Sequence, residues 1–361
     1  SANRTAGRYL ISANDQKFML TDGANRVLDN PGPGSVSILD FSKFPPLKTD
    51  IPAVDCSVIG PPVSVAITPD EKIALVTSAM KVDPNDRSKQ IPDNQITVID
   101  IETKKVINRI TAGSQPTGVT VSPCGKFALV CNRADGTLTS LKITENIVTF
   151  AKTVQISNPD EGIAHIAISP DSSFALATLN NAQAVVKIPL NDGIAQKVTQ
   201  RIAVGKGPYC IEFLPSGKSA VVANTMSNNL SILDINENLV SVSSKIDVGV
   251  IPEGIDISPD GRWMTVCCLN NSNISPDDPN HQNHSKVLLF KKEGSSFTQV
   301  QEMNVEKIVQ AAIFSPEIKY VVFACFERGG IEIYEFDDGI VKNTNIWIKT
   351  PGQPCALRIC D

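Results

Sequence analysis

Aromatic residues supply only 5% of this chain, which is little for a protein that stacks nucleobases on its side chains. A basic excess is missing too. The 33 Lys and Arg face 38 Asp and Glu, for a net charge of −5. A phosphate backbone needs a basic face, so no nucleic acid partner is expected. No apolar run approaches the roughly 18 residues that a membrane-spanning helix requires. There is no Gly-x-Ser-x-Gly elbow, and no His stands in a recognisable Ser–His–Asp order. Gly32-Pro33-Gly34 reads as a turn, because neither a Lys-Ser pair nor a helix comes after it.

Cysteine is present without a pattern. The nine Cys are an odd number, and no Cys-x-x-Cys occurs. Most fall in strand-like runs, where Cys acts as a small buried hydrophobe. Free thiols are expected, which leans towards a reducing, cytoplasmic compartment. Adjacent strand residues point to opposite faces, so Cys267-Cys268 reads as two separate thiols. Ser1-Ala2-Asn3 carries no Met and no apolar stretch. A removed signal peptide would leave no trace, so a secreted or periplasmic location stays open. His281 and His284 with Asp277 and Asp278 lie in a polar loop that lacks the rigid support a metal needs. No metal and no cofactor is expected.

What the chain does have is a repeat. Ser-Pro-Asp-Gly-like turns recur at Pro69, Pro123, Pro170, Pro215, Pro259 and Pro316, 44 to 57 residues apart. Pro presets φ early in a turn, and Asp, Ser and Gly suit its later positions. Short period-two runs flank each turn, as in Val119/Val121 before and Phe127/Leu129 after it. Two further β-rich runs complete each copy, for example Leu138–Ile143. Four antiparallel strands per copy make a propeller blade. The ends supply one more copy. Pro354–Asp361 aligns with Pro116–Pro123, and Gly7–Asn14 aligns with Gly125–Asn132. The expected fold is therefore all-β, a single seven-bladed propeller spanning 1–361. Blade 1 combines residues of about 1–58 with 351–361, so the C-terminal strand closes the ring.

With strands named A to D from the channel outwards, the Pro turns join A to B at one end. The B–C and D–A connections share the other end. Three B–C connections are enlarged, over 21–34, 80–94 and 271–285. Long loops on a rigid scaffold often bind. On strand A, most channel-facing positions are small. Against that background stand His165, Glu212, Asp256 and Arg358. Glu212, Asp256 and Arg358 occupy equivalent positions and should lie at one depth. Nearer the loop-bearing rim come Thr117, Tyr209, Glu253, Gln310 and Cys355, with Asn14, Asn132 and Asn224 ending strands B. Two carboxylates, an Arg and a His at one place can exchange protons with a substrate. The same groups can also simply neutralise one another in a wet channel.

Ser122–Asn132, Gln95–Asp100 and above all Ala223–Asp234 resemble the YVTN β-propeller repeat. More loosely, the chain resembles the seven-bladed lactonase superfamily of 6-phosphogluconolactonase-like and carboxymuconate-cyclase-like proteins. That resemblance implies lactone hydrolysis or lactonisation at the channel mouth, without a redox cofactor, or a binding role. It carries no catalytic residue over to this chain.

Two functions fit these residues. In the first, the protein is a monomeric scaffold that binds a small molecule or a protein at the channel mouth on the long-loop face. It would use Asn14, Thr117, Asn132, Tyr209, Asn224, Glu253 and Gln310. In the second, it is a lactonase or cycloisomerase using His165, Glu212, Asp256 and Arg358. The second requires a pocket at the loop-bearing end, and carboxylates not tied up between blades.

Overall fold

The pattern of turns and alternating strands closes into a ring. A computed structural model describes residues 7–237 and 239–360. Seven antiparallel sheets radiate from a channel. Their inner strands are Val65–Ile67, Pro116–Val121, Ile163–Ile168, Pro208–Phe213, Pro252–Ile257, Val309–Phe314 and Gln353–Ile359. The last of these pairs with Tyr9–Asp15, and Ser35–Asp40 and Leu47–Pro52 lie further out. Both ends of the chain thus build one blade, and neither leaves an open sheet edge there. Glu71 of blade 2 accepts the backbone N–H groups of Arg8 and Tyr9 at 2.9 and 2.8 Å, which ties this blade to its neighbour.

The Pro turns are built by their own side chains. Ser258 Oγ donates to Asp260 Oδ1 at 2.6 Å, and the same carboxylate accepts Arg262 N–H at 3.1 Å. Thr68/Asp70 and Ser169/Asp171 repeat the arrangement. The residue two after each Pro has positive φ, from 57° at Glu71 to 75° at Gly125. Glycine is free of steric penalty there, which explains the repeated Gly.

Both faces of each blade are apolar because each packs on a neighbour. Val119 and Val121 of blade 3 join Leu75 and Ile96 of blade 2, while Leu129 and Cys131 join Ile166 and Ile168 of blade 4. Strand-B threonines fasten one blade to the next. Thr77, Thr178 and Thr265 donate to the carbonyls of Thr117, Tyr209 and Ala312 at 2.6–2.7 Å. Blade 4 differs in detail, with an outer strand broken into Ile194–Ala195 and Gln200–Ala203.

The nine cysteines are free thiols. Cys267 and Cys268 enter different core clusters, as their opposite orientation requires. Among the described residues, no helix is long and apolar enough to cross a membrane.

The three enlarged connections are more ordered than loops. In blade 1, Phe18–Thr21 and Ala24–Val27 form a hairpin. In blade 2, strands Ile73–Val82 and Gln90–Asp100 extend almost through the insertion, leaving a short tip. Gly23 N–H donates to Asn273 O of the blade 6 insertion at 2.8 Å, and Lys17 Nζ donates to Met80 O of blade 2 at 2.7 Å. Phe18 is fully buried in a cluster with Leu269, Ile308, Phe326 and Val58. The insertions therefore pack on one another and on four blades.

Candidate functional site

Strand register fixes one ring of seven channel positions. Each lies three residues before the turn Pro or its equivalent, and each pairs with the third residue of its strand B. The pairs are Ala66–Leu75, Thr120–Leu129, Ala167–Leu176, Glu212–Val221, Asp256–Thr265, Ile313–Val322 and Arg358–Ile11. Glu212, Asp256 and Arg358 thus share one depth. Two residues earlier, the sequence is Ser64, Gly118, His165, Cys210, Gly254, Ala311 and Ala356. His165 is the one large side chain of that level. His165 itself sits in a β-bulge, where Ala164 and His165 together stand opposite Thr178.

Of these, Thr120, His165, Ala167, Glu212, Asp256 and Arg358 line a cavity of about 320 Å3. Its walls are Ile166, Ile168, Ile211, Phe213, Leu214, Ile257 and Ile359, and Pro123, Pro170, Pro215 and Pro259 surround it. It therefore lies at the Pro-turn end, opposite the long loops. The pocket expected at the loop-bearing end with His165, Glu212, Asp256 and Arg358 in it is corrected in this respect. The four groups converge, but at the other end. The physical reason is the insertions, which use their apolar side chains to pack across the loop face. A smaller chamber of about 40 Å3 continues inwards past His165, Cys210 and Arg358.

Three polar members of the ring are tied to the next blade. Glu212 Oε1 accepts Ile257 N–H at 3.2 Å, and Asp256 Oδ2 accepts Phe314 N–H at 2.8 Å. Thr120 Oγ1 donates to Ile166 O at 2.8 Å. Both carboxylates are half-buried and engaged between blades, which counts against their acting as freely titrating catalysts. Arg358 is also half-buried and engaged.

His165 is 2% exposed. Its Nδ1 has no hydrogen-bond partner among the described residues. Burial, aided by the nearby Arg358 charge, holds the ring well below the usual histidine range, so it is neutral at neutral pH. Space for the ring comes from blade 3. A Cβ on Gly118 would collide with His165 Nδ1.

The remaining expected site residues separate into two groups. Asn14, Asn132 and Asn224 are fully buried and bond within their own blades. Asn132 Nδ2 donates to Thr137 and Thr139, Asn224 Nδ2 to Asn229 and Ser231, and Asn14 Nδ2 to Ser35 and Ser37. Their expected place at the rim is corrected, because closing the B–C corner takes their amides inside. Thr117 is buried and donates to Ala164 O at 2.7 Å, as an inter-blade tie. Tyr209 and Glu253 are half-buried. Burial raises the Glu253 carboxyl to about 7. Gln310 is buried with its Nε2 unpaired among the described residues.

One cluster was not legible in the sequence. Glu306, Cys325 and Glu332 bring one ligand atom each within 4.8 Å of one another. Arg328 already pairs with Glu306 at 3.3 Å, so a cation is in place beside the acids. The three residues lie on separate segments, and no spacing motif links them.

No family model matches the chain, and no curated protein matches its sequence. Solved structures do. A protein of Bacteroides uniformis, provisionally described as a 6-phosphogluconolactonase, is 16% identical with a TM-score of 0.71, covering 98% of this chain and 99% of its own. The periplasmic gluconolactonase PpgL of Pseudomonas aeruginosa is 14% identical with a TM-score of 0.68, covering 97% and 98%. A functionally unknown protein of Desulfotomaculum acetoxidans is 17% identical with a TM-score of 0.72, covering 98% and 99%. At these identities the likeness shows the fold, a seven-bladed propeller shared over full length, and not an activity.

Proposed function

We propose that this protein binds a small organic molecule in the channel cavity at its Pro-turn end, as a monomeric binding protein and not as a hydrolase. The observation that carries the reading is the buried His165 Nδ1, unpaired among the described residues and set between the cavity and the inner chamber. Buried polar atoms without partners are costly, and a ligand or an ordered water completes them. A concave, mostly apolar cavity with a few convergent polar groups is what small-molecule sites look like. The inter-blade bonds of Glu212 and Asp256 favour fixed recognition over proton transfer. The test is a small-molecule screen by thermal shift, then calorimetry on His165→Ala. Saturable binding that weakens in the variant supports the reading. Hits that bind equally well without His165 refute it.

A second reading, lactone hydrolysis, is favoured by the gluconolactonase names among the structural neighbours and by a neutral imidazole that lines the same cavity as two carboxylates. Turnover of a sugar-acid lactone that Asp256→Asn abolishes would establish it in place of the first.

A further inference from the structure

We infer that Cys56 and Cys355 are a disulfide pair, a covalent clasp for the one blade whose inner strand the backbone does not join to the next. In the other blades the Pro turn links strand A to strand B. Blade 1 has no such link. Its strand A, Gln353–Ile359, and its strand B, Tyr9–Asp15, come from opposite ends of the chain.

Two thiols meet at that seam. Cys355 is the extra residue of a β-bulge, since Ala13 pairs with Ala356 and Asn14 with Pro354. Its Sγ lies 3.4 Å from Ala13 O. Cys56 follows the outer strand of the same blade, Leu47–Pro52, and its Sγ lies 2.9 Å from Asn14 O. The two thiols are in hydrogen-bonding contact with each other. Both are buried, in one apolar cluster. Gly34 leaves the room, because a Cβ there would stand 2.9 Å from Cys56 Sγ. Thiols already in contact have a short way to go to an S–S bond.

A small disulfide such as glutathione disulfide serves as the oxidant. One Cys thiolate attacks it, forming a mixed disulfide and releasing one thiol. The second Cys attacks the mixed disulfide, forming the Cys56–Cys355 bond and releasing a second thiol. The two protein S–H bonds are lost, their protons end on the released thiols, and the oxidant takes up two electrons. Contact with Cys56 and burial push the Cys355 thiol up and keep it protonated in the closed ring. Exchange therefore takes place while the C-terminal strand is undocked, in folding or in local opening. The bond closes a loop from residue 56 to residue 355, nearly the whole chain, and a closure of that length restricts the unfolded state strongly.

The test uses the full chain carrying Cys124→Ser, which removes the exposed thiol. It is refolded with glutathione disulfide or with reductant, and disulfides are mapped by peptide mass spectrometry. We expect the peptides holding Cys56 and Cys355 to be joined, and the melting temperature to rise by about 3–6 °C over the reduced form. Cys56→Ala and Cys355→Ala should each abolish that rise. The same map from native protein held with glutathione disulfide just below its melting temperature does not depend on refolding. Cys56 and Cys355 recovered unlinked to each other in both maps, or a linked protein that melts no higher than the reduced one, overturns the inference.

Discussion

Replacing Gly118 with Ala probes the packing of blade 3 on blade 4 at one atom. The new Cβ would collide with His165 Nδ1 and would meet Ala164 O and His165 Cα at 2.9 Å. The first contact is with a side chain that can move into the cavity. The other two are with the backbone of blade 4, which the ring holds in place. Overpacking of this kind costs about 1–3 kcal/mol. At an unfolding entropy of roughly 2 cal/mol/K per residue, 361 residues give about 0.8 kcal/mol/K, so the melting temperature should fall by roughly 1–4 °C. Calorimetry on Gly118→Ala, His165→Ala and the double variant separates the parts. His165→Ala removes the collision with Nδ1 and leaves the contacts at 2.9 Å. The double variant should therefore recover part of the loss, with a coupling of about 1 kcal/mol or more. Strictly additive effects, or a Gly118→Ala protein as stable as the parent, would refute the placement of His165 across Gly118 and with it the floor of the cavity.

Deleting residues 354–361 removes the inner strand of blade 1, including buried Cys355, Ala356 and Leu357, and should abolish cooperative unfolding in a thermal melt. Phe18→Ala should cost about 3–5 kcal/mol, read by denaturant unfolding, because the ring is fully buried under the loop-face insertions; a neutral result would mean that they do not pack there. Glu253 has a folded pKa of about 7 against an unfolded value of 4.5. The folded state thus holds the proton more tightly, and stability is lost as pH rises from 4.5 through 7. Glu253→Gln should remove that slope and stabilise the protein above pH 7 by about 1–3 kcal/mol, seen as a pH-dependent melting difference. Of the nine thiols, Cys124 alone is exposed, so it should react first with a thiol reagent under native conditions, and Cys124→Ser should remove that fast phase.

Particular residues show how far the sequence reached. The common depth of Glu212, Asp256 and Arg358 was legible because each stands at a fixed offset in its repeat, and a repeat converts offset into height. Arg358 could be included only because the C-terminal residues align with an inner strand. The fate of Asn14, Asn132 and Asn224 was not legible. An Asn at the end of a strand can face the rim or turn inwards. Here Ser35, Ser37, Thr137, Thr139 and Ser231 on the adjoining strands C decide it, since they offer hydroxyls.

The end of the channel that holds the cavity was also out of reach. Composition marked the insertions as polar loops, rich in Asn, Asp, Pro and Gly. Their few apolar residues, Val27, Met80 and Val82, pack with the flanking Phe18 and Leu269 in one cluster shared by blades 1, 2, 6 and 7. Such contacts join segments hundreds of residues apart, and no local pattern reports them.

The sequence by itself determined the number of blades, the splice that closes the ring and the height of each channel side chain. All three come from local periodicity repeated along the chain. Tertiary structure alone decided which end is covered, which polar groups are used up between blades, and that His165 is left unpaired among the described residues at the cavity floor. Those outcomes depend on which residues of different blades meet across the ring, and only the closed ring brings them together.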